Sequence, residues 1–571
     1  MFVDLLIKNI HVFNSYYKKF SIANVAVRGN KIFYVGPRAD DCFTAKERID
    51  GTDRYLIPGL VDIHLHVESS MVTPETFSFG LIQNGVTTVI PEPHEMANVF
   101  GIKGVQAMIA ASKACVADMF YAIPSSVPPT ALETNGGSID VDEIDQLMKE
   151  GKVTCLGEVM NYVDILNKPD CKTNRILHHI KKYYPDLVIE GHVPKLLDLE
   201  LNQVLAAGVD SDHTLQTVTG LKARIQSGMF VEIQEKSMKQ DIIDYLITHD
   251  IKDNFCFVTD DVMMDSFTEK GHLNHLIKKA ISMGMSPIDA IYAGTFTPAR
   301  RMKLTDRGSI APGRLADFVI LSSLEKFVID AVYKKGRRVF AAQHPIKQKA
   351  SVGQFPPSFY HSVKIFPLSA RDFSVKHQPD GTYQCRIMEI NDGTTFTKEK
   401  HRDLAVNGSL LQWEKSPYAL IAVFERYGKN GNRGYGLAGG DTIKQGAMAT
   451  TYAHDSHNLM VIGQNAADMV LAANHVINQQ GGICVVNRGK IIAFLHLPIG
   501  GILTEAPFDA VGKKVAALRR AMRQLGYVHY NPIMSFCTNS LAVSPALKIT
   551  DFGLVDVNQG KIVPLIIGKS S

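Results

Sequence analysis

Between residues 58 and 260 the chain repeats one pattern: a short apolar run with a polar terminus, followed by a segment with helical patterning. The runs lie at 58–66, 85–91, 119–124, 153–157, 187–191, 206–212, 229–233 and 255–259. Strands that alternate with helices must lie parallel, and eight such units close into a (β/α)8 TIM-type barrel. In that architecture the chemistry sits at the carboxyl ends of the strands. Six of the eight ends carry His, Asp or Glu: His64 and His66, His94 with Glu95, Glu158, His192, His213 and Asp260. Any one of these alone reads equally well as a cap or surface group; the set does not.

The first run, Pro58-Gly59-Leu60-Val61-Asp62-Ile63-His64-Leu65-His66, is the most specific. Side chains at i and i+2 of a strand share a face, so both imidazoles can hold one divalent ion. An isolated pair of this kind is also satisfied by core hydrogen bonds, and the acids and histidines downstream decide between the readings.

Composition narrows the function classes. The chain has 571 residues, 45% of them hydrophobic and 21% charged, with a net charge of +4. No basic run suggests a nucleic-acid groove, and no apolar run is long enough to span a membrane. Residues 1–8 are too polar for a signal peptide. The 8 cysteines include no Cys-x-x-Cys pair, so reduced thiols and a cytoplasmic location are expected.

Short strands are expected at 5–7, 9–13, 22–27 and 31–35, and again at 308–320 and 331–339. A few strands cannot bury a core alone. The flanks 1–55 and 303–345 are therefore expected to pair into one small β domain around a barrel at 56–302. A linker rich in Pro and Lys, near 343–357, leads to a C-terminal α+β domain at 356–571. There the run His454-Asp455-Ser456-His457-Asn458 has two readings: a hydrogen-bonded turn at a domain contact, or a cover that supplies part of the pocket. No Gly-x-Ser-x-Gly elbow supports a nucleophile. Residues 472–477 read as helix, and Trp413 as packing.

This frame resembles the amidohydrolase superfamily. It is carried by Pro-Gly-x-x-Asp-x-His-x-His and by Gly308-Ser309-Ile310-Ala311-Pro312-Gly313-Arg314-Leu315-Ala316-Asp317. The runs His64–Met71, Pro93–Val99, Gly157–Asn161, Thr259-Asp260-Asp261, Glu269–Leu273, His454–Asn458 and Pro498–Gly501 are similar to the bacterial adenine deaminases. The resemblance spans nearly the whole chain. It implies hydrolytic deamination of adenine to hypoxanthine and ammonia in purine salvage, by hydroxide made at two divalent ions. Manganese or iron is expected, with zinc possible.

By the resemblance, His64, His66 and Asp260 would hold the first ion, His192 and His213 the second, and Glu158 would bridge them. Asp260 would also take the proton of the attacking water. Glu95 and Asp261 are the candidate acids for the ring. His94, Glu68, His454 and His457 are candidate substrate contacts, with Glu68 and Asp212 also readable as groups that orient a ligand. Lys152 lies at the wrong end of its strand to bridge. The expected partner is a small molecule, adenine or a related base, and a homo-oligomer is expected, as is common for such barrels.

Two positions depart from the family pattern: Thr214 stands where Glu is common, and Val262-Met263-Met264-Asp265 replaces an Arg-x-Pro run. They keep two alternatives open. One is a related hydrolase acting on another nucleobase or cyclic amide; the other is a catalytically silent purine-binding paralogue.

Overall fold

The computed structural model of the protein describes residues 1–38, 41–344, 348 and 353–570. Much of the expected linker at 343–357 lies outside the described residues.

The apolar runs form eight strands: β1 (Leu60–Leu65), β2 (Val86–Pro91), β3 (Asp118–Met119 and Tyr121–Ile123), β4 (Val153–Val159), β5 (Val188–Gly191), β6 (Ser211–Asp212), β7 (Phe230–Ile233) and β8 (Phe255–Phe257). Parallel ladders link β1 through β5 in sequence order, and β6 through β8 likewise. The ends meet where Asp260 N donates to His64 O at 3.1 Å, extending β8 onto β1. Between β5 and β6 side chains make the join: Gly191 N donates to Ser211 Oγ at 3.2 Å and Val193 N to Asp212 Oδ1 at 2.9 Å. The order is that of a TIM-barrel-type fold.

Two runs differ from expectation. The third is interrupted at Phe120. The sixth contributes only Ser211–Asp212, because 206–207 finish the helix Asp198–Ala207. Alanines favour helix, and Gly208, at φ +114°, ends it as only glycine does easily.

Both flanks enter one sheet, in the order Arg337–Ala341, Val328–Lys334, Phe318–Ser323, Tyr55–Pro58, Phe2–Asn14, Lys19–Arg28, Lys31–Gly36. The seam between flanks is the antiparallel pair of Tyr55–Pro58 with Phe318–Ser323. The expected strands at 5–7 and 9–13 are a single strand, Phe2–Asn14, bulged between Ile7 and Ile10 with Asn9 at φ +57°. The run from 308 becomes strand only at Phe318. The strand Thr44–Asp50 went unanticipated because its mostly exposed side chains carry no apolar alternation.

Beyond 380 a ten-stranded sheet is packed by helices Ala466–Asn478 and Phe508–Gln524. The second helix also lies against the barrel helix Met264–Lys270: Phe508 meets Phe267 edge-on, with ring centroids 5.0 Å apart. Gly80 is bare there because a Cβ would stand 2.3 Å from the Phe508 ring. One buried cluster runs unbroken from Ile123 and Phe267 to Phe508, Met448 and Tyr452. Among the described residues no helix is long and apolar enough to cross a membrane.

Candidate metal centre and the pocket beside it

Strand β1 places both imidazoles inward, with ring centroids 5.2 Å apart. His66 Nδ1 donates to the Glu92 carbonyl at 3.1 Å. That leaves Nε2 as the acceptor nitrogen, 3.6 Å from Glu158 Oε1 and 3.7 Å from Asp260 Oδ1. At the end of β4, Glu158 Oε2 lies 2.9 Å from His192 Nδ1 and 3.2 Å from His213 Nε2, which are 3.1 Å from each other. The His64 ring stacks on His213 at 3.8 Å. Among the potential ligand groups are His64–His66–Glu158 and Glu158–His192–His213, with His66–Asp260–Asp261 adjoining and His94–Glu95–His454–Asp455 apart from them. Glu158 belongs to both of the first two.

These donors fit divalent ions. Ligand bonds of about 2.0–2.2 Å bring neighbouring ligand atoms roughly 3–3.5 Å apart, the spacing seen around Glu158. Although burial opposes it, the imidazoles of His192 and His213 hold Glu158 well below the ordinary carboxylate range. Asp260 sits at φ +57°, a region Asp tolerates better than most. It too is lowered despite burial, chiefly by Lys236, whose Nζ is 3.8 Å away.

Glu92 underlies this arrangement. Its Oε2 accepts the Glu158 backbone N–H at 2.7 Å. Its carboxyl fills the space where a Cβ on Gly157 would stand, 2.4 Å from Glu92 Cδ. That is the physical reason for glycine beside Glu158. Asp212 is also a buried hub, accepting from Thr214 Oγ1 and Gln216 Nε2 at 2.8 Å each and pairing with Arg224 at 2.5 Å. The buried Thr214 thus spends its hydroxyl on Asp212.

A second cluster lies beside the first. The His94 ring centroid is 4.6 Å from that of His66, and His94 Nε2 is 3.5 Å from Glu95 Oε1. Glu95 receives two imidazoles from the C-terminal part: His454 Nδ1 at 2.8 Å, and His457 Nε2 in a shorter contact. Burial would raise Glu95, yet His454, His457 and His94 hold it well below its usual range. Burial would lower His454, yet Glu95 lifts it to about 10. The proton of this pair therefore rests on the imidazole. Glu68 is pushed up to about 7 by burial and by Glu95, and its Oε1 accepts from Met96 N at 3.4 Å.

Asp261 is tied to the same region by a relay: Tyr452 Oη donates to Ser69 Oγ at 3.3 Å, and Ser69 Oγ donates to Asp261. Beyond β8, Asp265 in the first turn of helix Met264–Lys270 pairs with Arg519 of helix Phe508–Gln524. In Pro498-Ile499-Gly500-Gly501, the buried Arg426 donates to Gly500 O at 2.7 Å, and a Cβ on Gly501 would stand 2.3 Å from that guanidinium.

Sequence reasoning missed Glu92, Glu190 and Glu232. The signal available was an acid inside an apolar run or, for Glu92, between two prolines.

Residues 55–339 match the model of the amidohydrolase family, and residues 394–561 match the adenine deaminase C-terminal domain. Over 100% of both chains, the protein is 56% identical to adenine deaminase 2 of Shouchella clausii (strain KSM-K16). It is 48% identical to the adenine deaminase of Clostridium perfringens (strain 13 / Type A), over 99% of each chain. The chain belongs to the adenine deaminase family. Among solved structures, a β-aspartyl dipeptidase from Fervidobacterium islandicum AW-1 is similar at TM-score 0.48 and 17% identity, covering 61% of this chain and 100% of that one. The two regions matched in this adenine deaminase family member meet along a broad contact, and within it Glu95 of the first is held by His454 and His457 of the second.

Proposed function

We propose that the protein hydrolyses adenine to hypoxanthine and ammonia at the site centred on Glu158. The observation that carries this is the convergence of two His/carboxylate groups on one shared Glu158, in a chain that matches adenine deaminases along its full length. That match favours adenine over another nucleobase, and a filled set of ligand-type residues argues against a silent paralogue.

His64, His66, Glu158 and Asp260 would hold one divalent ion, and Glu158, His192 and His213 a second. Manganese or iron is proposed, with zinc as the third option; when bound, such ions polarise the substrate and lower the pKa of water. Asp260, kept ionised, accepts the proton of the attacking water and passes it toward the departing amino nitrogen, with Asp261 beside it. Glu95 acts through the imidazolium of His454, which donates to a ring nitrogen as C6 gains oxygen. His94, Glu68 and His457 line the base. The second water proton, lost as the C6 hydroxyl becomes the carbonyl, restores His454; one water is consumed, the C6–N bond is broken and ammonia is released.

The expected division is a barrel at 56–302, a β domain from 1–55 and 303–345 and a C-terminal domain at 356–571; the ladders support it with the first boundary moved past Pro58, since Tyr55–Pro58 pairs in the flank sheet. Eight unpaired cysteines support a cytoplasmic location.

The test is ammonia release from adenine by protein reconstituted with manganese or iron. Turnover is expected, with loss of at least about 10³-fold in Asp260→Asn at unchanged circular dichroism. Protein holding two ions that leaves adenine intact but deaminates guanine or cytosine would overturn the substrate.

A further inference from the structure

Strand β7 contributes Glu232, whose side chain is 0% exposed. Apart from a contact with the neighbouring carboxyl of Glu190, neither of its oxygens has a hydrogen-bond partner among the described residues, a costly state for a buried carboxyl. Two imidazole nitrogens nearby are in the same position, His64 Nε2 and His213 Nδ1. One ligand-capable atom from each of the three side chains lies within 4.8 Å of the others. His213 spends its other nitrogen on Glu158, 3.2 Å away, so Nδ1 is the one left over. The neighbouring acid Glu190 is already engaged: it accepts from Ser211 Oγ at 2.7 Å and pairs with Arg301 at 2.9 Å.

We propose that Glu232 is a positioning residue shared by both halves of the metal centre, its carboxyl accepting the ring N–H groups of His64 and His213 that point away from the ions. This rests on the metal-centre reading above. A ligating histidine commonly donates its far N–H to a carboxylate, which sets its tautomer and aim. Here one carboxyl serves a histidine of each group, so losing it loosens both ion sites together.

The experiment uses the full chain reconstituted with Mn(II) and dialysed against graded EDTA, with manganese per chain measured by mass spectrometry. Glu232→Leu is expected to lower retention of both equivalents by about 10- to 100-fold. Glu232→Gln, which keeps one acceptor oxygen, should fall several-fold, and circular dichroism of the metal-free forms should match wild type. Wild-type retention in either variant, or a loss confined to one equivalent, would overturn the proposal; should the Leu variant misfold, the Gln variant decides. A wild-type chain that never holds two ions, or a His64→Ala variant that keeps both, would instead sink the metal-centre reading.

Discussion

At Glu95 a barrel carboxylate meets two imidazoles from the far end of the chain, His457 being 362 positions away. The pairing divides charge so that the carboxyl is ionised and His454 carries the proton. Removing the imidazole takes away the donor while leaving the ligand residues around Glu158 in place. His454→Gln is therefore expected to lower kcat/KM on the order of 10²-fold, at an unchanged two manganese per chain. Loss of metal in this variant would assign His454 to the ion sites instead. The residues of the first cluster were legible in the sequence because each ends a recognisable strand. Glu92 and Glu232 were not: an acid between two prolines or inside an apolar run says nothing local about which side chain it faces.

Helix His94–Phe100 carries His94 and Glu95, and it packs closely on Gly104 of the next helix, Ile102–Ala111, as well as on Gly136 and Gly137. A Cβ at Gly104 would stand 2.1 Å from Met96 O, well inside contact distance. Gly104→Ala must push the first helix away, on the order of an ångström. Displacements of that size cost about 10²-fold in rate when they disturb reacting geometry. The expected result is a fall of that order in kcat/KM with manganese content preserved, read by steady-state kinetics and metal analysis together. At the scale of elements the barrel strands were readable from periodicity. The sixth strand was cut short by a helix that ran to Ala207, because apolar alanines satisfy either pattern.

Asp118 joins barrel to flank at the scale of the whole molecule. It accepts from Lys334 at 2.6 Å and from Arg307 and Lys335 at 2.9 Å each. Burial opposes its charge, but Lys334 and its neighbours pull the carboxyl far below the ordinary range. A group depressed on folding adds stability that is full above its unfolded value of about 4 and lost as pH falls through the folded value. Asp118→Asn should therefore lower the thermal midpoint at neutral pH, by a destabilisation on the order of 3 kcal/mol. Its midpoint should also fall less steeply than wild type on acidification below about pH 4. An equal acid slope in both proteins would show that other carboxylates govern the transition.

By itself the sequence determined the alternation of strand and helix between 58 and 260, the parallel barrel class and the residues at the strand ends. These follow from local periodicity, with turn glycines and prolines as punctuation, and each needs only near neighbours. Tertiary structure alone decided that the flanks share one sheet through Tyr55–Pro58 and Phe318–Ser323, and that Glu158 sits within reach of both histidine pairs. It also decided that His454 and His457 close on Glu95. Those contacts join segments remote in the chain, and only packing of the whole core brings them together.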